Sequence, residues 1–254
     1  MTSKKKFYPF LTFVLLFTLT NAYVHCEWNL KEGLANKEQI NLELLQAPGF
    51  ADLKKRVSRY IAGSWCTEEK SNLIMDLILL TEPKICVEIG PFTGSSFLPI
   101  AATLSFLQNG QAYAIDAWSN SAAIQGISQN DPNFGWWSAV NMSGVKNTFF
   151  KTMAAWNLAS YYTSICERSS NIAFLFDRID FLHLDGNFSE EGSVEDVHLY
   201  LPRVAPGGYI LLSNAFAKVD GQYSKMKAIW MLLEECEIIA EIENSNTILF
   251  QKNP

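Results

Sequence analysis

The stretch Val87–Ser96 (VEIGPFTGSS) places two glycines four residues apart, between an apolar run and the start of a helical pattern. Gly90 and Gly94 carry no side chain, so the backbone there can approach a ligand closely. The free N–H groups at the start of the next helix suit a carboxylate or a phosphate. The spacing is neither G-x-G-x-x-G nor a Gly-Lys-Ser/Thr phosphate loop, which disfavours a dinucleotide or a nucleoside triphosphate. The stretch therefore predicts a pocket lined by backbone.

An acidic residue follows the second predicted strand. Asp116 stands 26 positions after Gly90, directly after the run QAYAI. In parallel α/β sheets ligands bind beyond the carboxyl ends of the strands, and an acid at that place can accept hydrogen bonds from ribose hydroxyls. Alone, Asp116 would be interpreted as a solvated strand-end aspartate. Beside the glycine loop, the pattern favours a ribose-binding role.

A second polar group follows the fourth predicted strand. Asp185-Gly186-Asn187 comes directly after IDFLHL, so Asp185 is expected at the same edge of the sheet as the glycine loop. His183 precedes Asp185 by two residues and therefore points to the same side of the strand. It is a reserve base for the site, although a buried, hydrogen-bonded histidine is the more common arrangement. Asp185 is the best-placed acid, with capping of the turn through Gly186 as its ordinary alternative.

A sheet must position these residues. Short apolar runs alternate with helical patterns from residue 85 onward, and such alternation predicts a mostly parallel sheet covered on both faces. Pro206-Gly207-Gly208 separates the last predicted crossover helix from the fifth strand. The predicted strands are Ile85–Ile89, Gln111–Ile115, Thr163–Cys166, Ile179–Leu184 and Tyr209–Leu212, followed by an antiparallel pair at Ile238–Ile242 and Thr247–Gln251.

Helical patterns precede the first strand and fill the intervals between the others. The segment Trp118–Leu158 is too long for a plain crossover, which needs about a dozen residues, and it is rich in aromatic residues. We interpret it either as a helical insertion over the ligand end of the sheet or as a simple packed helix pair. No linker interrupts the pattern, so we expect one domain with a helical extension. The predicted helices are Ala51–Ile61, Glu68–Leu80 with Thr67 as its cap, Ser95–Leu107, Val194–Val204 and Gln222–Glu235.

The N-terminal segment has the three parts of a secretory signal. Lys4–Lys6 precede the apolar run Phe7–Leu19, and small residues around Ala22 suit a cleavage site. The run is short for a membrane span, which needs about 20 apolar residues. An uncleaved anchor at residues 7–24 is the alternative. We expect a signal peptide at residues 1–22, a helical extension at 23–83, a domain at 84–254 and export of the protein.

Composition narrows the classes of function. The chain has 254 residues, of which 48% are hydrophobic, and a formal net charge of −6, which loss of the three N-terminal lysines would change to −9. The acidic balance argues against a nucleic-acid partner, which needs clustered lysine and arginine. Five cysteines without a C-x-x-C pair leave the compartment open. Cys86 and Cys236 are interpreted as buried thiols, and Cys26 with Cys66 as a pair that export would permit.

The glycine loop, Asp116, Asp185-Gly186-Asn187 and Pro206-Gly207-Gly208, in this order, resemble the class I S-adenosylmethionine-dependent methyltransferases. VEIGPFTGSS is similar to the glycine loop of the caffeoyl-CoA and catechol O-methyltransferase type. Ile179–Asn214 is closer to small-molecule methyltransferases of the macrocin and cephamycin types. The resemblance implies a Rossmann-like, seven-stranded, mostly parallel sheet whose last strand is antiparallel, with a helical N-terminal extension.

The resemblance also implies roles for single residues. Asp116 would hold the ribose of S-adenosylmethionine, and Ser169 or Ser170 would contact the adenine. Asp185 would act in catalysis, with His183 in reserve. The residues implied to bind the cofactor are Glu88, Gly90, Gly94, Ser95, Asp116, Ser169 and Asp185.

Three positions depart from the family pattern. Phe188 stands where relatives carry a candidate basic histidine, and Asn214 and Ala215 stand where metal-dependent relatives carry acids or an amide. Asp185 with Asn214 would offer one carboxylate and one neutral amide, so we expect weak binding of Mg²⁺ or a similar metal, or none.

The primary hypothesis is a methyltransferase that acts on a small molecule, preferably at oxygen. The alternative is a catalytically weakened or inactive relative that binds the cofactor or a partner. We expect a small-molecule acceptor, no nucleic acid and no membrane contact except through an uncleaved N-terminal segment. A homo-oligomer is left open.

Overall fold

The computed structural model describes residues 42–254. The predictions for the signal peptide, the alternative anchor and Cys26 fall outside this range. The strands are β1 (Ile85–Ile89), β2 (Gln111–Ile115), β3 (Tyr162–Ile165), β4 (Ile179–Leu184), β5 (Val204–Leu212), β6 (Lys218–Val219), β7 (Gln222–Tyr223), β8 (Cys236–Ile242) and β9 (Thr247–Lys252).

Helices surround these strands, and short 3-10 turns cover Leu42–Gln46, Ala173–Leu175, Leu201–Arg203 and Glu243–Ser245. Among the described residues, none of the helices has the length and apolar composition needed to cross a bilayer. The α-helices are α1 (Phe50–Ile61), α2 (Glu68–Thr81), α3 (Phe97–Leu107), α4 (Asn120–Ala123), α5 (Pro132–Ala139), α6 (Met142–Ala155), α7 (Ser169–Ile172), α8 (Glu190–Tyr200) and α9 (Met226–Glu235).

Seven strands form one sheet in the order β3-β2-β1-β4-β5-β9-β8. Strands β1 to β5 are parallel, whereas β9 is antiparallel to both of its neighbours, β5 and β8. The predicted Rossmann-like sheet with an antiparallel last strand is confirmed. The order reverses beside β1, so the loops after β1, β2 and β4 meet at one edge, where ligands bind in folds of this kind.

Both faces of the sheet are covered, as alternation along its strands requires. In β5, Tyr209 and Leu211 pack with the core that α1, α2 and α3 cover, whereas Ile210 and Leu212 pack with the core on the opposite face, beneath α8 and α9. The described part of the N-terminal extension, α1 and α2, is therefore one wall of the domain.

Helix α2 begins at the ligand edge of the sheet. The Thr67 hydroxyl accepts a hydrogen bond from the Lys70 backbone N–H at 3.1 Å, and Glu68 and Glu69 occupy the first turn. A side-chain cap and early acids are the usual determinants of a helix start. The cap fixes Lys70 in the first turn, which faces the end of β4.

The predicted helices differ from the structure by one or two residues at a limit, except for two whose starts differ by four residues. The helix predicted at Val194–Val204 is α8, four residues earlier, because the Ser189 hydroxyl caps it through the Gly192 N–H at 3.0 Å. The residues after α8 form a 3-10 turn and then β5, which starts at Val204. Helix α9 begins at Met226 rather than Gln222, because β6 and β7 form a hairpin there.

The long segment between β2 and β3 contains α4, α5 and α6. The predicted helical insertion is therefore present. Its aromatic residues divide between two roles, because Trp118 and Phe149 are buried while Trp136 is half exposed. The Asn187 side-chain amide donates to the carbonyl oxygens of Ala122 and Gln125 at 2.9 and 3.1 Å. These bonds attach the insertion to the loop after β4.

Candidate active site

A cavity of about 480 Å³ lies at the edge where β1, β2, β4 and β5 end. Most of the site residues predicted from the sequence lie on its wall, and three lie behind it. On the wall are Gly90, Ser95, Asp116, Ser169, Ser170, Asp185 and Asn214. Among the described residues, the lining does not include Glu88, Gly94 or His183.

The glycine loop brings β1 against the end of β4. Gly90 has φ of +79°, and its N–H donates to the Ile115 carbonyl at 2.9 Å. A Cβ at Gly90 would lie 2.4 Å from the Asp185 carbonyl oxygen, closer than any side chain tolerates. At Gly94, with φ of +92°, a Cβ would come within 3.0 Å of the Phe149 ring. Packing within the protein requires glycine at both positions. Of the two, Gly90 lines the cavity, where approach of a ligand was predicted, and Gly94 does not.

Asp116 joins the glycine loop to the start of the insertion. Its carboxylate accepts the backbone N–H of Phe92 at 3.1 Å and that of Trp118 at 2.7 Å. Burial raises the pKa of Asp116 to about 6, against the lowering effect of these two bonds. Each carboxylate oxygen has a second lone pair, so the residue can still accept hydrogen bonds from a ligand in the cavity.

Glu88 and His183 are fully buried beneath the cavity. Glu88 Oε1 accepts the Ser96 hydroxyl at 2.5 Å and lies 3.1 Å from His183 Nδ1. His183 Nε2 shares a hydrogen bond of 2.8 Å with the Ser213 hydroxyl. His183 therefore supports Ser213 from behind, as the buried, hydrogen-bonded histidine that was the more common arrangement, and it does not line the cavity as the reserve base would.

The start of α7 forms a further part of the cavity wall. The Ser169 hydroxyl donates to Asp196 Oδ1 at 2.6 Å, and its carbonyl accepts the Tyr200 hydroxyl at 2.8 Å. Burial raises the pKa of Asp196 to about 6. Ser169 and Ser170 both line the cavity, so the predicted choice between them for adenine stays open.

A lysine that sequence reasoning missed completes the site. Lys70 Nζ lies 3.1 Å from Asp185 Oδ2 and 2.6 Å from the Ser213 hydroxyl, and its side chain is only 4% exposed. Burial acts to lower the pKa of Lys70, but the charge of Asp185 and neighbouring groups raises it overall. Burial acts to raise the pKa of Asp185, but Lys70 foremost lowers it overall. The pair is therefore ionised.

The sequence contained only a weak signal for Lys70. The helix EEKSNLIMDLILLT is otherwise apolar after its first turn, and all its residues from Leu73 to Leu80 except Asp76 are buried. A lysine in the first turn of such a helix is normally solvated. Only the packing of α2 beside β4 brings residues 70 and 185 together across 115 positions of sequence.

The donors around Asp185 do not fit a divalent cation. Oδ2 accepts from Lys70, and Oδ1 accepts the Asn214 amide at 2.7 Å, so a metal ion at the predicted pair would face the positive charge of Lys70 and an N–H donor of Asn214. Glu88, His183 and Asp185 lie close enough to be considered as ligands. The two carboxylates, however, face opposite nitrogens of the His183 ring, Nδ1 and Nε2. A hard cation prefers several oxygens around one centre, and these three residues offer two carboxylates and a ring nitrogen.

Four aromatic rings line the cavity beside Lys70 and are called the aromatic wall: Trp65, Phe92, Trp137 and Phe188. Trp65 stacks on Phe92 with ring centres 5.1 Å apart, and Trp137 lies 5.7 Å from Phe188. Trp65 is 63% exposed, which is unusual for a side chain of this size. The wall therefore presents ring faces to whatever enters the cavity.

Residues 87–215 match the sequence model of a family described as a methyltransferase domain. The match covers half of the chain, from within β1 to the loop after β5. The chain belongs to this family. It is a methyltransferase, as the order of its motifs predicted. No curated protein matches this methyltransferase in sequence.

Solved structures share the fold of this methyltransferase at low sequence identity. The O-methyltransferase TomG from Streptomyces achromogenes, solved with S-adenosylmethionine, has a TM-score of 0.55 and 14% identity, over 89% of this chain and 97% of TomG. The O-methyltransferase NovP has a TM-score of 0.57 and 12% identity, over 73% and 79%. A methyltransferase from Geobacter sulfurreducens has a TM-score of 0.51 and 12% identity, over 82% and 91%.

Proposed function

We propose that this methyltransferase transfers the methyl group of S-adenosylmethionine to an oxygen of a small-molecule acceptor. One observation carries the proposal: a single cavity is lined both by the glycine loop and Asp116, which we assign to a cofactor end, and by Lys70, Asp185 and the aromatic wall, which we assign to an acceptor end. A donor and an acceptor can therefore meet within it. TomG, which has the same fold, was solved with this cofactor.

The residues at the first end fit S-adenosylmethionine. Gly90 presents backbone without a side chain, Asp116 has lone pairs for ribose hydroxyls, and Ser169 or Ser170 would border the adenine. When bound, this cofactor supplies a methyl group on a positively charged sulfur, which is open to in-line attack. The main task of the chain is to hold the acceptor oxygen in line, and such alignment supplies several kcal/mol of barrier reduction.

The acceptor end suits a planar ring that carries a hydroxyl group. Aromatic pairs gain about 0.5–1.5 kcal/mol beyond the burial of area, and the aromatic wall offers exposed ring faces for such pairing. Asp185, kept ionised by Lys70, can accept a hydrogen bond from the acceptor hydroxyl. A phenolic hydroxyl also loses its proton more readily than an aliphatic one, which suits a site without a basic histidine.

The departures from the family pattern have structural explanations. Phe188 belongs to the aromatic wall, 5.7 Å from Trp137, and Asn214 holds one oxygen of Asp185. Both residues line the cavity. The replacements are therefore consistent with a changed acceptor end rather than with loss of function.

Two measurements test the proposal. Calorimetric titration with S-adenosylmethionine should give heat that saturates, and no heat at millimolar cofactor would contradict it. Release of S-adenosylhomocysteine should then be followed with a panel of phenols, matched cyclohexanols and anilines. We expect turnover with phenols; turnover with anilines alone would place the transfer at nitrogen, and turnover with cyclohexanols alone would remove the role of the aromatic wall.

We also propose that residues 1–22 are a cleaved signal, that residues 23–83 form an extension of the domain at 84–254, and that the protein is exported. The support is the basic start and apolar run of the N-terminal segment. Expression in a secreting host and N-terminal sequencing of the product should give Tyr23 as the first residue. Retention of Met1 in a membrane fraction would instead support the anchor at residues 7–24.

A further inference from the structure

We propose that the ammonium group of Lys70 takes the place of the divalent cation of metal-dependent relatives, and that it directly contacts the acceptor oxygen. The inference rests on the proposed function, because it assigns a role at the acceptor end of the same cavity. It makes Lys70 a catalytic residue and makes the reaction independent of metal.

The contacts of Lys70 place a fixed positive charge at the end of β4. Its Nζ lies 3.1 Å from Asp185 Oδ2 and 2.6 Å from the Ser213 hydroxyl. An ammonium has three N–H donors, and these contacts use two of them. Lys70 also lines the cavity, so the third donor can serve an oxygen of the acceptor.

Asp185 is arranged to hold an ammonium and not a metal. Its second oxygen accepts the Asn214 amide at 2.7 Å, so the side chain that would be the other metal ligand acts as a donor. Ser213, between Lys70 and His183, completes a buried chain of hydrogen bonds that ends on His183, whose Nδ1 lies 3.1 Å from Glu88 Oε1. Buried charges of this kind persist where paired and hydrogen-bonded, which fixes the ammonium in one position.

The chemistry needs a positive charge at this point. As the new O–C bond forms and the S–C bond of the donor breaks, the acceptor hydroxyl must give up its proton, which can pass through Asp185 to solvent. An ammonium beside that oxygen favours its ionised form, as a metal would. The thioether product then leaves without a charge on sulfur, and Lys70 remains protonated throughout.

The test measures metal binding directly, so it does not require a known acceptor. Manganese chloride is titrated calorimetrically into the full chain, into the Lys70→Met variant and into the double variant Lys70→Met with Asn214→Asp. We expect no heat from the unaltered chain at millimolar Mn²⁺. The double variant should bind Mn²⁺ at least about tenfold more tightly than the unaltered chain, because it removes the ammonium and leaves two carboxylates, at positions 185 and 214, side by side.

Matched controls separate this effect from general changes in charge. Lys54→Met removes a partly buried lysine of α1 that pairs with Asp76 of α2 at 2.7 Å, and should leave Mn²⁺ binding unchanged. Circular dichroism and thermal unfolding verify that each variant folds. If Lys70→Met does not fold, the Mn²⁺ titration of the unaltered chain and the turnover of Lys70→Arg still test whether the site works without a metal.

Some results would overturn the proposal. One is micromolar binding of Mn²⁺ to the unaltered chain that Asp185→Asn abolishes. Another is turnover of a phenol that a chelator stops and Mg²⁺ restores. The supporting result is turnover that a chelator leaves unchanged. Its kcat should fall about a hundredfold in Lys70→Met and recover in part in Lys70→Arg. Failure of S-adenosylmethionine to bind would refute the proposed function instead, because the metal titration does not depend on it.

Discussion

The cavity has a cofactor end, around the glycine loop and Asp116, and an acceptor end, around Lys70, Asp185 and the aromatic wall. The two ends are built in different ways. At the cofactor end, the contacts of Asp116 reach Phe92 and Trp118, 24 and 2 positions away, and the glycine loop lies on one strand–loop–helix unit. At the acceptor end, Lys70 meets Asp185 and Ser213 across 115 and 143 positions. One end is a local motif, whereas the other exists only after the whole domain has packed.

The family match includes the whole glycine loop and Asp116 but leaves out part of the acceptor end. Residues 87–215 contain the glycine loop and Asp116, but Trp65 and Lys70 precede them. The helical extension therefore supplies part of the acceptor end from outside the matched region. We infer that a shared cofactor end is combined with an acceptor end that varies with the residues packed beside it.

The largest effect is expected at Gly90, where the two ends touch. A Cβ there would overlap the Asp185 carbonyl oxygen, and φ is +79°. Gly90→Ala should lower the free energy of unfolding by about 3 kcal/mol, through backbone strain and overlap. Gly207→Ala is the control, because φ is also positive but a Cβ there meets nothing within 4 Å; it should cost about 1 kcal/mol. Urea denaturation measures both, and equal losses would show that the contact between the ends is loose.

The sequence predicts the cofactor end well because its signals are local. Strands β1, β2 and β4 have the predicted limits, since each is a short apolar run that a polar residue or glycine ends. Gly90, Ser95 and Asp116 lie on the predicted cavity for the same reason. Helix α8 is displaced because the cap at Ser189 is the stronger start signal.

The acceptor end is less predictable from the sequence. Asp185 and Asn214 were expected to bind a metal weakly or not at all, but the ion pair of Asp185 with Lys70 was not predicted, because it depends on how α2 packs. His183 was placed on the correct side of β4, yet Ser213 lies against it and it does not line the cavity. Periodicity indicates which face a residue occupies, and it does not indicate which distant side chain will cover it.

A second prediction tests whether Asp116 belongs to the cofactor end. Asp116→Ala should weaken binding of S-adenosylmethionine by about a hundredfold, because hydrogen bonds to a charged group contribute about 1.5–3 kcal/mol each. Asp180 is a matched control at the opposite edge of the sheet, where it accepts the backbone N–H groups of Lys84 and Ile85 at 3.0 Å. Asp180→Ala should lower stability and leave the affinity unchanged. Calorimetry that gives equal affinities for both variants would remove the ribose assignment.

A third prediction concerns pH at the cofactor end. Burial raises the pKa of Asp116 to about 6, and only the ionised carboxylate accepts both ribose hydroxyls. Affinity for S-adenosylmethionine should therefore fall about tenfold from pH 7 to pH 5 as Asp116 takes up a proton. Asp116→Asn should bind more weakly and lose this dependence. If the dependence persists in that variant, Asp196, whose pKa burial also raises to about 6, is the titrating group.

A fourth prediction tests the acceptor end alone. Trp65→Ala should raise KM for a phenolic acceptor about tenfold, since it removes an exposed ring from the aromatic wall, and should leave the affinity for S-adenosylmethionine unchanged. Trp230→Ala is the control, because Trp230 is 45% exposed on α9 and is not among the described residues that line the cavity. Steady-state kinetics measure both. A loss of cofactor affinity in Trp65→Ala would show that the two ends are not separate.

The smallest effect is expected at the adenine side of the cofactor end. Ser169→Ala should weaken binding of S-adenosylmethionine about threefold, because a neutral hydrogen bond contributes about 0.5–1.5 kcal/mol and the hydroxyl already donates to Asp196 at 2.6 Å. Ser170→Ala, on the same turn, is the paired variant, and the larger loss identifies the serine that borders the adenine. If calorimetry shows no change in either variant, the adenine does not lie at the start of α7. The cofactor end would then be limited to the loops after β1 and β2. It would be more local than proposed here, and its contrast with the acceptor end would be sharper.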